Sequence, residues 1–540
     1  MIAGATIWGL LVPEMIAYAG LAGLPPQAGL YTLLVTLAAY AVLGTSRHVV
    51  VAGTSGAAVL VASAVSDQGP SGPAEYAALA AGTVMIAGAL FLLAGVLRLG
   101  FIAQFLSRPI MAGFVFGLAL FVTVSQLPKL LGIEKGTGDS VSQFVSLLAH
   151  VGDANGATVA VGVSALVLLF AADRLPGRLP GGLIALVLGI VLSGALHLSR
   201  HGVAIVGEVP SGLPSMQVPD LAAGDIAALA AVAAGMVLVI FGESLGAAQT
   251  FATKYGYEID PNQEMIALGV ANLGSGLVGG LAAGGSLSQS AVNEGAGARS
   301  EASPLVAAAL AIVTVIALTP LFKNLPEAVL AALIIHAVSH LWRIGAFRQY
   351  WAERKMEFWL GIATLAGVLI LDVLPGLIIG ITTMLLLFIY HASRPHLAVL
   401  GVVPGLSSAY GDLEYHDDYE PTADLLLLRL EAPLFYANAD LVRDRIKRLV
   451  GSAAVTPRAV VLDVGANGEL DITSAEMLTH LVGTLRRAGV DLALAEVHAP
   501  VLKMARITGV LDTLGADHVF RTLDEAAHAL GAPNVIPLRR

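Results

Sequence analysis

The stretch GGLAAGGSLSQSAVNEGAG, residues 279–297, lies among long apolar runs yet opens with small residues where a membrane span would carry leucine. It reads as a short helix that enters the membrane, with Ser286, Leu287, Ser288 and Gln289 in its first turn. A helix start has N–H groups without intrahelical partners and about half a unit of positive charge, which suits an anion. A second stretch of the same kind, VVVAGTSGAAVLV at 49–61, puts Thr54, Ser55 and Gly56 at a helix start. Two such starts facing each other would hold an anion without a fixed cation. Small-residue packing between helices uses the same composition, and it is the matching placement of the two stretches in the chain that favours a site.

Outward from these two pieces the chain is membrane-like. Of 540 residues 56% are hydrophobic and 13% charged, against about 25% charged in soluble proteins. Residues 410–540 hold 19 Asp+Glu and 13 Lys+Arg, close to half of all charged residues in a quarter of the length. A membrane domain is therefore followed by a soluble one. A span needs about 20 apolar residues, and twelve windows qualify: 2–21, 29–44, 76–98, 108–128, 157–172, 181–198, 226–251, 264–281, 302–320, 325–341, 356–372 and 375–392. The run at 2–21 lacks the basic start of a secretory signal and leads into further spans. With the two short pieces as half-helices the expected number of segments is fourteen.

Loop charges agree with fourteen. With a cytoplasmic N-terminus the inner loops hold Arg47, Arg98, Arg108, Arg174, Arg178, Lys254, Arg299, Arg343, Arg348, Arg354, Lys355 and Arg394, and the outer loops Lys129, Lys135, Arg200 and Lys323. Positive loops stay inside, and an even number of passes returns the soluble end to the cytoplasm. Glu14 and Glu243 are 229 positions apart, and Thr54 and Ser286 are 232 apart. Near-equal offsets suggest two halves of seven segments, about 1–200 and 222–395. Broken helices at matching places in two repeats point to a transporter's binding site.

Other residues fall around the two helix starts. In LVPEMIAYAGLAGLPPQAGLY (11–31), Pro13 interrupts the backbone ladder and Glu14 sets an ionisable group beside it. Such a group is costly in a membrane unless it lines a cavity, so Glu14 is a candidate proton carrier, and Tyr18 lies one turn away. FGESLGAAQTF (241–251) places Glu243 in a similar setting. A purely structural, hydrogen-bonded glutamate is the alternative for both. Asn293 and Glu294 are polar enough to join the site or its cytoplasmic exit. His336, His340 and His391 lie at membrane edges, and no spacing among them points to a metal site. There is no cysteine and the net charge is −10, so thiolate chemistry is absent and no basic surface for nucleic acid is expected. Nothing arranges a nucleophile, base and orienter as an enzyme would, and no cofactor is expected.

The soluble end alternates strands and helices. Residues 396–421 read as a linker with an acidic run. After it come LLLLRL (425–430), a helix over 438–451 with Leu441, Ile446, Leu449 and Val450 as its apolar stripe, AVVLDV (459–464), a helix over 474–489 closed by Gly489, and DLALAEV (491–497). This is a small α/β layer domain over 422–532, followed by a tail at 533–540. Thr473 and Ser474 fall at a predicted helix N-terminus, either as the cap or as a phosphorylation or sensing point.

With these motifs in view, the chain resembles the SulP family of anion transporters, the sulfate permeases and their relatives. The run at 11–31 is similar to the family's first-segment signature, GYEIDPNQEMIALGVANL (256–273) to its linker into segment nine, and GSLSQSAVNEGAGARS (285–300) to its segment-ten motif. APLFYANADLVRDRI (432–446), DITSAEML (471–478) and EVHAPVLKMARITGVLD (496–512) resemble its STAS domain. The resemblance implies a polytopic α-helical membrane protein with fourteen segments in a seven-plus-seven inverted repeat, carrying a cytoplasmic STAS domain. It also implies a homodimer whose cores move in an elevator-like fashion in the plasma membrane, which in a bacterium is the inner one. Substrate contacts would fall on Thr54, Ser55, Gly56, Ser286, Ser288 and Gln289, with Tyr18 and Glu14 nearby, and the coupling acid on Glu243. Thr473 matches the position phosphorylated in related soluble STAS proteins, so a soluble partner on this domain is expected. Many family members carry a basic residue where this chain has Gln289. A neutral amide still donates hydrogen bonds but lacks the charge, which turns the expectation from a tightly held divalent anion toward bicarbonate, a monovalent anion or a carboxylate. The family as a whole favours proton-coupled sulfate uptake. Sodium-coupled bicarbonate transport is the alternative, and a membrane sensor signalling through the STAS domain is another.

Overall fold

The computed structural model describes residues 1–101, 108–134, 136, 140–174, 181–342, 344–371, 373–406, 408–422 and 424–531. Lys135, Arg178, Arg343 and the tail at 533–540 lie outside the described residues. The chain divides into two compact units, Met1–Met384 and Leu385–Arg540.

In the first unit the helices are α1 (Ile2–Leu21), α2 (Pro26–Leu43), α3 (Ser55–Ser66), α4 (Pro73–Val96), α5 (Arg108–Leu131), α6 (Ser140–Ala149), α7 (Gly156–Arg174) and α8 (Gly181–Leu196). The second half continues with α9 (Ala223–Tyr255), α10 (Pro261–Leu277), α11 (Leu287–Gly295), α12 (Ala302–Val313, extended to Asn324 by tighter and wider turns), α13 (Glu327–Ser339), α14 (Ile344–Glu353), α15 (Lys355–Leu371) and α16 (Val373–Ala392), within which the division between the units falls. Each of the twelve apolar windows corresponds to one of these helices and each short piece to a short helix, α3 or α11. Among the described residues, eight helical stretches are long and apolar enough to cross a membrane. The starts follow local chemistry. Pro26, Pro73 and Pro261 stand in first turns, where the missing N–H costs nothing, and Asp260 caps α10 by accepting from the N–H of Asn262 at 2.8 Å and of Gln263 at 3.3 Å.

Two four-residue strands lie inside this helical unit, β1 (Val50–Gly53) and β2 (Ala283–Ser286), paired antiparallel with Val50 opposite Ser286 and Gly53 opposite Ala283. Each strand runs directly into a short helix, β1 into α3 and β2 into α11. The core of the unit gathers around α1, α3, α9 and this ribbon, with Ile7, Leu11, Met15, Val50, Leu60, Phe91 and Phe241 all fully buried.

The second unit is a six-stranded sheet. Its strands are β3 (Leu397–Val402), β4 (Tyr410–Asp412), β5 (Glu420–Pro421), β6 (Leu425–Leu430), β7 (Ala459–Asp463) and β8 (Asp491–Ala495), in the order β4-β3-β6-β7-β8 with β5 also on β3. β6, β7 and β8 are parallel, joined by crossover helices α17 (Ala439–Ser452) and α18 (Ile472–Arg487). α19 (Ala499–Ile507), α20 (Val510–Leu514) and α21 (Leu523–Ala529) follow. β7 is apolar almost throughout because both its faces are covered: Val460 and Leu462 meet α17 and α18, while Ala459 and Val461 meet α21. Two expectations change here. The stretch expected as a linker contains β3, β4 and β5, since the wholly apolar LAVLGV buries Leu397, Ala398 and Leu400 and pairs with β6. In α17 the buried face is Ala439, Val442 and Ile446, and Leu441 is exposed.

Candidate anion site

A ribbon of two strands leaves an open edge on each side, and inside a membrane every open N–H and C=O needs a partner within the protein. Side chains supply them here. Asn272 of α10 acts as an extra strand residue: its Nδ2 donates to the Ala283 carbonyl at 2.9 Å and its Oδ1 accepts from the Ala283 N–H at 2.8 Å. Thr36 of α2 donates to the Val51 carbonyl at 2.9 Å, Ser244 of α9 accepts from the Gly285 N–H at 2.7 Å, and Ser290 of α11 accepts from the Val50 N–H at 2.9 Å. Glycine is required at the crossing with α9, because a Cβ on Gly284 would stand 2.8 Å from Ile240 and one on Gly285 3.1 Å from the Ser244 Cα.

The ribbon carries α3 and α11 away from its two ends. Thr54 and Ser286 are the N-caps: the Thr54 hydroxyl accepts from the Ala57 N–H at 3.2 Å and the Ser286 hydroxyl from the Gln289 N–H at 3.5 Å. Both starts open on one cavity of about 1580 Å³. Thr54, Ser55, Gly56, Ser286, Ser288 and Gln289 line it. Tyr18 and Glu14 of α1 and Glu243 of α9 line it as well, so all nine residues expected in the site are brought together. Gln289 is 1% exposed; its Nε2 donates to Glu14 Oε2 at 2.8 Å, while its Oε1 is buried and meets no donor. Ser288 is exposed to the cavity and its hydroxyl lies 3.0 Å from that of Ser286.

Asn293 and Glu294 do not join this lining. Asn293 is fully buried, donating to the His48 carbonyl at 3.3 Å and accepting from Ser303 at 2.7 Å, so it ties α11 to its surroundings. Glu294 pairs with Lys254 at 2.9 Å and accepts from the Tyr255 hydroxyl.

Sequence reasoning passed over three kinds of residue. The clamps on the ribbon, Asn272, Thr36, Ser244 and Ser290, belong to helices whose polar positions look incidental. Glu264, 1% exposed on α10, accepts from the Tyr40 hydroxyl at 2.7 Å and from the Thr45 N–H and hydroxyl at 2.7 and 2.6 Å, fixing the turn that leads into β1. Arg108, at the start of α5, is the one Lys or Arg among the described residues lining the cavity; it was legible only as a loop charge.

The comparisons with known proteins bear on this arrangement. Residues 1–364 match the sulfate permease family and residues 418–526 the STAS domain. The chain belongs to the sulfate permease family. A probable sulfate transporter of Mycobacterium tuberculosis H37Rv is 34% identical over 529 residues, 98% of this chain and 94% of the relative. A probable sulfate transporter of Arabidopsis thaliana is 30% identical, over 98% of this chain and 85% of its own length. The murine Solute Carrier 26 family member A9 anion transporter, solved in an inward-facing state, superimposes with a TM-score of 0.90 at 22% identity, covering 98% of this chain and 90% of that one. The transmembrane domain of the cyanobacterial bicarbonate transporter BicA superimposes with a TM-score of 0.62 at 24% identity, covering 70% of this chain and 96% of that one. This sulfate permease family chain is thus an integral membrane anion transporter, not an enzyme, with the Solute Carrier 26 type of fold and a C-terminal STAS domain.

In the STAS domain Thr473 and Ser474 both sit in the first turn of α18, but neither is its cap. Asp471 takes that place, accepting from the Ser474 N–H at 2.7 Å, because a carboxylate one residue before the helix reaches the free N–H groups best. Thr473 is exposed, whereas Ser474 is fully buried with no partner for its hydroxyl.

Proposed function

We propose that the protein takes up sulfate together with protons, holding the anion at the cavity between the starts of α3 and α11. The observation that carries this reading is the contact of Gln289 with Glu14 at 2.8 Å beside two capped helix starts. The helix ends and hydroxyls of Thr54, Ser55, Ser286 and Ser288 supply donors, and Glu14 and Glu243 supply two carboxyls in the same space, one or both of which carry the proton. Bringing a proton in with the anion offsets the membrane potential, which opposes anion entry by about 2.3 kcal/mol per charge per 100 mV. The names of the two curated relatives support sulfate as the cargo.

In this reading fourteen segments in two inverted halves form a core that moves elevator-fashion within a homodimer of the plasma membrane, with both termini cytoplasmic. The antiparallel pairing of β1 with β2 supports the inverted halves, since units of opposite orientation would meet that way.

Sodium-coupled bicarbonate transport is a second reading, and one observation favours it. Among the described residues lining the cavity Arg108 is the one Lys or Arg, and Gln289 is neutral, a balance that suits a singly charged anion such as bicarbonate better than doubly charged sulfate. The fold shared with the bicarbonate transporter BicA is in keeping with it.

The test is uptake of labelled sulfate and labelled bicarbonate into proteoliposomes under imposed proton or sodium gradients. Proton-driven sulfate uptake that Ser288→Leu abolishes, with expression and size-exclusion profile intact, supports the first reading; sodium-driven bicarbonate uptake replaces it with the second.

A further inference from the structure

At the rim of the same cavity, three side chains that play no part in the proposed anion site converge. Asp173 stands in the last turn of α7, and His336 and His340 stand one turn apart at the end of α13. The two helices pack against each other, so the placement of these groups is set by the helix ends rather than by loops. His336 Nε2 lies 2.9 Å and His340 Nε2 3.6 Å from one and the same oxygen, Asp173 Oδ2. One ligand atom from each residue lies within 4.8 Å of the other two. The imidazoles stand almost perpendicular, at 88° with centroids 4.9 Å apart, and the ring of Phe170 meets His336 edge-on at 5.1 Å, which limits its rotation.

We propose that Asp173, His336 and His340 form a binding site for a divalent transition-metal ion of the zinc class at the rim of the anion cavity. Bonds of about 2.0–2.2 Å in a tetrahedral site put neighbouring ligand atoms roughly 3.2–3.6 Å apart. The two observed separations from Asp173 Oδ2, 2.9 and 3.6 Å, bracket that range, so an ion enters with small rotations of side chains already turned toward one point. Two imidazoles with one carboxylate suit zinc, copper or nickel, whereas magnesium and calcium prefer oxygen ligands throughout. His336 and His340 are four residues apart, which places both rings on one face of a helix. The missing third ligand is 163 positions away in sequence, and that separation is what hid the site.

Three protein ligands leave a fourth position free, and all three residues line the cavity, so that position opens toward the space the anion crosses. The bound ion joins the end of α7 to the end of α13 and adds two positive charges to a lining in which, among the described residues, Arg108 is the one Lys or Arg. The site does not depend on whether sulfate or bicarbonate is carried, because its occupancy is read without transport.

The test is calorimetric titration of Zn²⁺ into the purified full-length protein in lipid nanodiscs, in chelator-treated buffer, with Co²⁺ absorption as a second readout. The expected result is one Zn²⁺ per chain, at least tenfold weaker binding in His340→Ala and in Asp173→Asn, and unchanged binding in His391→Ala. Co²⁺ is expected to give the visible bands of a four-coordinate ion, lost in His340→Ala. His340 and Asp173 are both about half exposed, so these variants fold, and their melting temperatures check it. Absence of saturable binding, or wild-type affinity in His340→Ala, would overturn the proposal and leave an ordinary histidine–aspartate ion pair.

Discussion

Glu14 and Gln289 are 275 positions apart in sequence and meet side chain to side chain, with Gln289 Nε2 donating to Glu14 Oε2 at 2.8 Å. The bond joins α1, a continuous helix with Pro13 inside it, to the first turn of α11. It places an ionisable group one hydrogen bond from the proposed anion. Any change in the protonation of Glu14 therefore changes what Gln289 can offer to the cavity.

Replacing that amide by a cation tests the link. Gln289→Arg would put a guanidinium within reach of Glu14 and of the helix starts, and charge-assisted hydrogen bonds are roughly twice as strong as neutral ones. Sulfate is expected to bind about tenfold more tightly, with bicarbonate changed less, as read from the concentration dependence of uptake. Equal affinities for both anions in variant and wild type would remove Gln289 from the site.

Asn272 offers a test of the ribbon. It is fully buried and makes two hydrogen bonds to the backbone of Ala283. Asn272→Leu leaves an N–H and a carbonyl without partners, at about 1–3 kcal/mol for each. The melting temperature of the purified protein is expected to fall by several degrees, with uptake reduced even in the fraction that remains folded. A variant with wild-type melting and uptake would show that Ala283 finds other partners.

Burial first, and the neighbouring Glu264 carboxylate second, push the carboxyl of Glu301, the residue before α12, up to about 8. A group whose folded value is raised contributes stability that is complete below its ordinary value and is lost as the pH rises through the folded one. The detergent-solubilised protein is therefore expected to melt at a higher temperature at pH 5 than at pH 9, with the loss running from the ordinary carboxyl value of 4.5 up to about 8 and complete above it. Glu301→Gln should flatten this part of the profile; an unaltered profile would assign it to another group.

The soluble domain separates two adjacent hydroxyls. Thr473 is exposed in the first turn of α18 and Ser474 is buried beside it. Thr473→Glu should be tolerated, since a negative charge at a helix start stabilises by about 0.3–1 kcal/mol. Ser474→Glu would bury a carboxylate among Ala475, Leu478 and their neighbours and should lower the melting temperature sharply. The same contrast predicts that a kinase modifies Thr473 and not Ser474 in the folded protein, which mass spectrometry of the phosphorylated chain would check.

Much of this was legible in the sequence because single residues carried it. A carboxylate beside a proline at Glu14, and Ser or Thr opening a short apolar piece at Thr54 and Ser286, are features that a cavity and two helix starts explain, and the structure brings these residues to one space. What was not legible depends on pairing across the fold. β1 and β2 are four residues each, VVAG and AGGS, too short and too small to show a strand's alternation, and they exist because Asn272, Thr36, Ser244 and Ser290 close their edges. The strand β3 was hidden by the polar run after it, and Asp173 by its distance in sequence from His336. Thr473 and Ser474 were correctly placed at a helix start, but the cap fell to Asp471, a residue type as good at capping as serine and two positions before Thr473.

The most direct test of the central claim is the structure of the protein in lipid nanodiscs at saturating selenate, a heavier stand-in for sulfate. The account predicts density for one tetrahedral anion within hydrogen-bond reach of Gln289 and of the backbone N–H groups at Ser55 and Gly56. Density only at Arg108 on the rim, with none between the starts of α3 and α11, would contradict it.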